Sequence, residues 1–275
     1  TVLRDLAIDA GAEVRMETTV TEVIQEGGRV VGVKVRDKDG QVTEERASVV
    51  VGADGRTSVV ARAVTPPERD RHDIHGRGLY AYFDDFEYTT EAVSLVDGSF
   101  VFAFPTAARS ACVGCEVGPE RDDDVRVSAE AVFLEKIGLD PDLLQRVQAA
   151  TRNGRWHVGE LEAGFFRHAS GPGWALVGDA ALTKDPMLGH GMTDSYVGAE
   201  LLAQAIHQGL ADDMDKALAV YDDALWRDLG PIYEASRDAA ADFQKSGDEL
   251  FGAIVPAQML IAEEVVMVAA GGPTL

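Results

Sequence analysis

Basic residues are scarce in this sequence. Its 275 residues include 25 lysines and arginines against 47 aspartates and glutamates, which gives a formal net charge of −22. A nucleic-acid-binding face must neutralise phosphates with positive charge, so this balance argues against nucleic-acid binding. It also disfavours docking on an anionic membrane. The composition is typical of a well-solvated protein, for which we expect a cytoplasmic location.

Cysteine is nearly absent as well. Cys112 and Cys115 are the only two, too few for a disulfide framework, which fits the reducing cytoplasm. Both lie in an alternating run that predicts a strand, and strand residues three apart point to opposite faces. We therefore expect structural cysteines here, and no metal site.

Long apolar runs are missing too. The most apolar stretch, Leu250–Ala262, is too short to span a bilayer and contains Pro256 and Gln258, so it predicts a packed helix. No signal peptide is recognisable at the start of the chain. The sequence does not begin with methionine, and we expect it to start partway through a longer protein.

The N-terminal region predicts a helix followed by strands. Apolar residues recur at helical spacing from Val2 to Ala10, and Gly11 suits the position after the last turn. Ala12–Met16 then predicts a short strand, so helix and strand would form the second half of a βαβ unit whose first strand is not in the sequence. Three further strands are predicted at Thr19–Glu26, Arg29–Arg36 and Ala47–Val51, with Gly27-Gly28 as a hairpin turn.

The middle of the chain predicts a second lobe built on an antiparallel sheet. Its strands are expected at Leu79–Phe86, Ala92–Val96, Phe100–Phe104 and Ser110–Val117. Helices are predicted at Val125–Ile137, Pro141–Ala150, Met192–Gln208, Met214–Leu225 and Ile232–Phe243, and a buried strand at Trp174–Val177. On the third helix, Met192, Tyr196, Ala199, Leu202 and Ile206 form an apolar stripe.

A first motif follows the strand that ends near Val51. The chain continues Gly52-Ala53-Asp54-Gly55, and Ser58 is a good N-cap for a helix. Small residues let the backbone approach a ligand closely, and Asp54 would lie at the carboxyl end of a strand, where open α/β sheets bind ligands. A plain strand-turn-helix with an aspartate cap explains this motif equally well.

A second motif follows the buried strand at Trp174. Gly178-Asp179 ends the strand, and a loop with Pro186, Gly189, His190 and Gly191 leads into the helix that contains Met192. Asp179 can accept hydrogen bonds from sugar-like hydroxyls. Glycines at a helix N-terminus leave N–H groups exposed, and negative charge is stabilised there, as on a reduced flavin near N1 and O2.

Together the two motifs resemble the fingerprints of the class A flavoprotein monooxygenases, the para-hydroxybenzoate hydroxylase-like group. The resemblance covers essentially the whole chain and implies an FAD-binding fold of the glutathione-reductase type. It implies that Asp179 binds the ribityl chain and that Pro186, Gly189 and Gly191 line the isoalloxazine. Asp54 and Gly55 would belong to the motif linked to FAD and NAD(P)H, and His190 faces either the ring or solvent.

The sequence departs from this family at three points. Leu182 stands where the family often has histidine, and Thr193 where it often has asparagine. No G-x-G-x-x-G follows a strand, so the pyrophosphate-binding turn is absent from these residues. We therefore expect the chain to need an N-terminal segment, a second chain or self-association in order to hold FAD.

Other candidate residues have less specific patterns. Aromatic side chains at Tyr80, Tyr82 and Phe83, or at Phe100, Phe102 and Phe104, either line a substrate pocket or belong to the core. The remaining histidines, His72, His75, His157, His168 and His207, lack metal-ligand spacing and are expected to be solvated or to cap helices. No cluster of catalytic side chains emerges.

The sequence thus predicts a mixed α/β (α+β) protein with an incomplete FAD-binding Rossmann-like fold, an inserted antiparallel-sheet substrate lobe and C-terminal helices. The FAD-binding domain would comprise residues 1–65 and 158–210, the substrate lobe 66–157 and the helical region 211–275. The resemblance implies an NAD(P)H-driven monooxygenase that hydroxylates or epoxidises a small organic substrate, aromatic or polyketide. The alternatives are a flavin halogenase, a prenyl reductase, and an FAD-free scaffold that serves as a binding module or a redox-independent cyclase.

Overall fold

The computed structural model describes residues 2–73, 76–87, 92–96, 99–107, 109–118, 121–161, 163–186 and 189–243. Within these ranges the chain forms two compact units. The first comprises residues up to Arg69, Arg167–Leu182 and Met192–Arg227, and the second comprises Asp70–Phe166, Thr183–Gly191 and the chain from Asp228. The helix predicted at Leu250–Ala262 and His75 lie outside the described residues.

The first unit begins with helix α1 (Val2–Asp9), and Gly11 follows its last turn with a φ of +97°, as predicted. No side chain of α1 is buried, and Val2 and Leu6 are exposed. The predicted strand at Ala12–Met16 is wrong, because residues 12–15 have no regular structure. A strand needs a neighbour for its backbone hydrogen bonds, and no strand of the described chain pairs with this segment.

A three-stranded antiparallel sheet follows, in the order β1-β2-β3. Its strands are β1 (Thr19–Glu26), β2 (Arg29–Arg36) and β3 (Val42–Arg46). Gly27 and Gly28 join β1 to β2 with φ values of +58° and +80°, as a tight hairpin turn requires of both central residues. The hairpin predicted from the glycine pair is thus confirmed.

A second small sheet has the order β12-β13-β4 and contains a parallel pair. Its strands are β4 (Val50–Gly52), β12 (Ser170–Gly171) and β13 (Trp174–Leu176), with helix α2 (Val59–Val64) after β4. Gly52 is packed so closely that a Cβ there would lie 2.8 Å from Leu176 Cδ2 and 2.9 Å from Val60 Cβ. Because Gly52 has no side chain, helix α2 can approach strands β4 and β13 closely.

Two long helices complete the C-terminal part of the described chain. Helix α5 (Gly191–Ala211) buries Asp194, Gly198 and Leu202, whereas Met192 and Tyr196 are exposed. The predicted apolar stripe is therefore wrong, because α5 packs through a face of small residues. At Gly198 a Cβ would lie 3.2 Å from Val177 and 3.3 Å from Leu225.

The two helices predicted at Met214–Leu225 and Ile232–Phe243 are one helix, α6 (Met214–Phe243), with Pro231 inside it. Proline removes one backbone hydrogen bond from a helix. The helix nevertheless continues, with Leu229 and Tyr233 buried on either side of the proline.

The second unit is built on a five-stranded antiparallel sheet in the order β10-β6-β9-β8-β7. The strands are β6 (Gly76–Asp84), β7 (Ala92–Val96), β8 (Ser99–Ala107), β9 (Ser110–Val117) and β10 (Thr151–Leu161). Helices α3 (Asp122–Ile137) and α4 (Pro141–Ala149) cover one face. The centre of the core on that face is fully buried and consists of Leu79, Val101, Val113, Phe133 and Leu143.

A further short sheet has the order β14-β11-β5. Its strands are β5 (Glu68–His72), β11 (Gly164–Arg167) and β14 (Leu182–Thr183).

Candidate functional site

The parallel pair β4 and β13 brings the ends of the two sequence motifs to one edge of the first unit. Leu176 lies opposite Gly52 in the register, and each strand then runs into a Gly-containing turn with an aspartate. Because the strands are parallel, Asp54 and Asp179 follow the same carboxyl edge. Ligands of open α/β sheets bind at such an edge, so the predicted placement of both aspartates is consistent with a ligand site.

Asp54 acts as a helix cap in the structure. Its Oδ2 accepts a hydrogen bond from the Val59 backbone N–H at 2.7 Å, and the Ser58 side chain accepts one from Ala61 N–H at 3.0 Å. Gly55 has a φ of +77°, which only glycine adopts readily. The capping alternative is therefore what the structure shows, and contact of Asp54 and Gly55 with a cofactor stays a prediction.

Asp179 lies on the turn that ends β13, in a short 3₁₀ helix over Gly178–Ala180. Gly178 has a φ of +60°, and a Cβ there would lie 3.1 Å from Ser195 Oγ. Partial burial raises the pKa of the Asp179 carboxyl, Arg56 opposes that rise, and the Asp194 carboxylate adds to it. The residue is still exposed, so its carboxylate is accessible to a ligand that carries hydroxyl groups.

The predicted flavin loop lies in the second unit as the segment Thr183–Gly191. Pro186 and Gly189 are exposed, and the Gly189 N–H donates to the Pro186 carbonyl at 2.8 Å. Gly189 has a φ of +67°, and Gly191 is the first residue of α5. A Cβ at Gly189 or Gly191 would meet nothing within 4 Å, so the space beside both glycines is open. His190 is half-buried, and its contact with a cofactor stays a prediction.

Two residues near the start of α5 have different environments from those expected. Met192 is 77% exposed. Asp194 is buried at 4% exposure in the first turn of the helix, and its carboxylate affects the pKa of Asp179. Sequence reasoning missed Asp194, because a carboxylate in the first turn of a helix gives no local signal that it is buried.

These residues have the chemistry that FAD requires. In the first unit, Asp179 offers an accessible acceptor for ribityl hydroxyls, and the turn at Gly55 is open to close approach. In the second unit, taken by itself, the backbone at Gly189 and Gly191 is open in the same way. The N-terminus of α5 favours negative charge. The residues present therefore fit the cofactor that the sequence motifs predict.

The exposed face of the five-stranded sheet is aromatic. Tyr80, Tyr82, Phe102 and Phe104 point away from the helices α3 and α4, whereas Phe83 is 4% exposed and belongs to the core. Phe102 stacks on Phe104 with ring centres 5.1 Å apart. The two predicted aromatic groups thus share one face of the sheet, with the exception of Phe83.

Two histidines have side-chain hydrogen-bond partners that the sequence did not indicate. His168 Nδ1 lies 2.9 Å from Asp222 Oδ2, and His72 Nδ1 lies 3.1 Å from the Tyr233 hydroxyl. Burial lowers the pKa of His72. His157 stacks on Tyr80 at 4.9 Å. The expectation of a solvated or capping role is therefore wrong for His72, whereas the side chain of His168 is 40% exposed.

The two cysteines point to opposite faces of β9, as predicted. Cys112 is half-buried on the aromatic face, and Cys115 is buried in the core, where burial raises its pKa to about 12. Within the described ranges no group of three or more metal-ligating side chains comes together. In the same part of the chain, none of the helices combines the length and the hydropathy that a membrane span needs.

The sequence is similar to archaeal enzymes named digeranylgeranylglycerophospholipid reductase. One from Methanococcoides burtonii is 31% identical over 79% of this chain and 53% of its own length. One from Methanopyrus kandleri is 26% identical over 96% of this chain and 69% of its own length. The chain thus spans between about half and two thirds of these relatives. No protein-family model matches the chain.

Solved structures of flavin-dependent enzymes have the same fold. The flavin-dependent brominase Bmp2, as a triple mutant, aligns over 94% of this chain and 68% of its own with a TM-score of 0.78 and 18% identity. The myxobacterial chondrochloren halogenase CndH aligns over all of this chain and 66% of its own, with a TM-score of 0.78 and 23% identity. PqsL from Pseudomonas aeruginosa is described as a probable FAD-dependent monooxygenase. It aligns over 92% of this chain and 72% of its own, with a TM-score of 0.74 and 22% identity.

Both groups of similar proteins are enzymes by name, which agrees with the prediction of an enzyme. The predicted fold class is confirmed by the structural neighbours, which include FAD-dependent halogenases. The mixed α/β structure with antiparallel sheets is similar to the folds of these flavin-dependent enzymes.

Proposed function

We propose that this chain belongs to an FAD-dependent oxidoreductase that reduces carbon–carbon double bonds in a prenyl lipid. The observation that carries the proposal is the sequence similarity to digeranylgeranylglycerophospholipid reductases, which extends over 79% of the chain at 31% identity. The structural neighbours, at 23% identity or less, support the fold alone, and FAD is proposed from the motifs around Asp54 and Asp179.

The aromatic face of the five-stranded sheet supports an apolar substrate. Prenyl chains are long and uncharged, and they bind through contact with apolar and aromatic surface. Tyr82 and Phe104 are each 37% exposed, which is high for large side chains on a sheet with a well-formed core. This surface is therefore available to an apolar ligand, and we propose that the prenyl chain lies on it.

In the proposed enzyme, the residues of this chain bind and orient the cofactor. The Asp179 carboxylate would accept hydrogen bonds from the ribityl hydroxyls. Pro186, Gly189 and Gly191 would hold the ring, and the N–H groups at the start of α5 would stabilise negative charge on it. FAD, once reduced by NAD(P)H or another donor, supplies the hydride chemistry. The protein supplies binding, orientation and exclusion of water.

A monooxygenase is the second candidate. PqsL, described as a probable FAD-dependent monooxygenase, shares the fold at a TM-score of 0.74, and the motifs around Asp54 and Asp179 resemble those of class A monooxygenases. The same residues would hold FAD in either enzyme. The two candidates differ in what happens to the substrate, since a reductase adds hydrogen and a monooxygenase adds oxygen.

The test is a product analysis with the full natural protein, FAD and a chemical or enzymatic reductant. The substrate is a digeranylgeranyl glycerolipid, and matched reactions run with and without oxygen. Our proposal predicts a product that gains two hydrogens per reduced double bond, formed without oxygen. A product that gains oxygen only in the aerobic reaction would instead favour the monooxygenase. A brominated product in the presence of bromide would favour a halogenase.

A further inference from the structure

On the aromatic face of the sheet, one row of paired residues across three strands contains two glycines and a glutamate. On neighbouring strands β10, β6 and β9, Gly159 pairs with Gly78, and Gly78 pairs with Glu116. All three residues point to the face that is not covered by α3 and α4. In this row the first side chain beyond the two glycines is that of Glu116.

The two glycines leave an open groove. A Cβ at Gly78 or Gly159 would meet nothing within 4 Å. Gly114, in the adjacent row, is covered, because a Cβ there would lie 2.4 Å from Phe102 Cζ and 2.7 Å from Tyr80 Cβ. The rings thus close over Gly114 but not over the other two glycines. We call the surface over Gly78 and Gly159, which ends at Glu116, the glycine groove.

Aromatic rings form one wall of the glycine groove. His157 and Tyr80, which pair in the register, are stacked at 4.9 Å with an angle of 8° between their planes. Phe102 continues this row on β8, opposite Gly114. A flat or extended apolar ligand that lies on the glycines therefore contacts rings along its side and a carboxyl at its end.

The surroundings of Glu116 favour the neutral form of its carboxyl. Burial raises the pKa of its carboxyl to about 8, and the negative charge of Asp185 adds to the rise. Asp185 is itself only 4% exposed. On β6 the residue that pairs with Glu116 is Gly78, which carries no charge. The Glu116 carboxyl is therefore a candidate source of a proton for a ligand in the glycine groove.

We propose that Glu116 is the proton donor to a substrate that lies in the glycine groove. This inference rests on the proposed reductase function. When a carbon–carbon double bond is reduced, one carbon receives a hydride from the reductant, here the reduced flavin, and the other receives a proton. The Glu116 carboxyl supplies that proton through its O–H, becomes a carboxylate, and is reprotonated from water. The two electrons come from the hydride, so the step balances.

The first test measures the proton on Glu116 without any turnover. The full natural protein, labelled with ¹³C at glutamate side-chain carboxyls, is titrated by NMR. We expect one carboxyl to titrate near pH 8 and to disappear in Glu116→Gln. Glu44→Gln, which changes an exposed glutamate on β3, is the control and keeps that signal. Titration of all glutamates in the ordinary range would overturn the proposal.

The second test measures reduction of the digeranylgeranyl lipid by the FAD-loaded protein. We expect kcat of the wild type to fall as pH rises through about 8. Glu116→Gln should lose about 100-fold or more in kcat, which is the lower range for a general acid, with unchanged FAD content and substrate affinity. A Glu116→Gln protein with wild-type kcat refutes the proton donor and leaves the reductase standing. A wild type that reduces no prenyl lipid refutes the reductase, and the proton-donor role falls with it.

Discussion

Asp222 is the side chain whose loss should destabilise the first unit most clearly. Its carboxylate accepts hydrogen bonds from Ala169 N–H at 2.6 Å, His168 Nδ1 at 2.9 Å and Arg69 Nη2 at 2.7 Å. Arg69 is largely buried, with 18% of its side chain exposed, and Ala169 is fully buried. Removal of the carboxylate therefore leaves a buried cation and a buried N–H without their partner.

We expect Asp222→Ala to lower the free energy of unfolding by about 3–5 kcal/mol, the usual cost of breaking a buried ion pair by removing one partner. Individual hydrogen bonds to a charged group contribute about 1.5–3 kcal/mol each and do not add fully. Asp223→Ala is the matched control. Its carboxylate is 87% exposed and 3.8 Å from Arg69, so its removal should cost about 0–1 kcal/mol.

The assay is urea unfolding of the natural protein and both variants, followed by tryptophan fluorescence. Trp226 is a suitable reporter, because the Arg69 guanidinium lies over its ring at 5.6 Å. If Asp222→Ala and Asp223→Ala differ by less than about 1 kcal/mol, the network that we describe does not stabilise the unit.

Three further predictions follow from single positions. Gly114→Val should destabilise the second unit by about 1–3 kcal/mol, since its side chain collides with Phe102 and Tyr80, and a Tm equal to that of wild type would show that the rings can move away. Gly191→Val should lose FAD or lower the flavin reduction potential, because a side chain blocks close approach to the ring, and normal flavin content and potential would remove Gly191 from the site. The raised pKa of Glu116 should stabilise the folded protein below about pH 4.5, with the contribution lost as pH rises through about 8. Unfolding free energies measured at pH 5 and pH 9 should therefore differ less in Glu116→Gln than in wild type, and an equal difference contradicts the shift.

Regular alternation and turn chemistry in the sequence were sufficient to predict the sheets. The four strands expected between Leu79 and Val117 all form, and the Gly27-Gly28 turn joins β1 and β2. Local sequence patterns were insufficient where contacts between distant segments determine whether a strand or a helix forms. Ala12–Met16 has the composition of a strand, but no strand of the described residues pairs with it, and Pro231 is accommodated within α6.

The candidate site was only partly predictable for the same reason. The sequence correctly predicted Asp54 and Asp179 just after the ends of strands, because each follows a short apolar strand, β4 or β13. Glu116 was not predicted, since nothing local distinguishes it from a solvated strand residue. Its character depends on Gly78 in the next strand and on Asp185, which is far along the chain. Asp222 likewise depends on partners from distant segments.

The most direct test of the account is the flavin affinity of the natural protein and of its Asp179→Ala variant, measured by flavin absorbance and by titration with FAD. We predict stoichiometric FAD in the wild type and a loss of about 1.5–3 kcal/mol in binding free energy for Asp179→Ala, the contribution of a charged hydrogen bond. Asp39→Ala, at an exposed turn, should bind FAD as the wild type does. A wild type without flavin affinity would favour the FAD-free scaffold, and an unaltered affinity in Asp179→Ala would show that this carboxylate does not hold the cofactor.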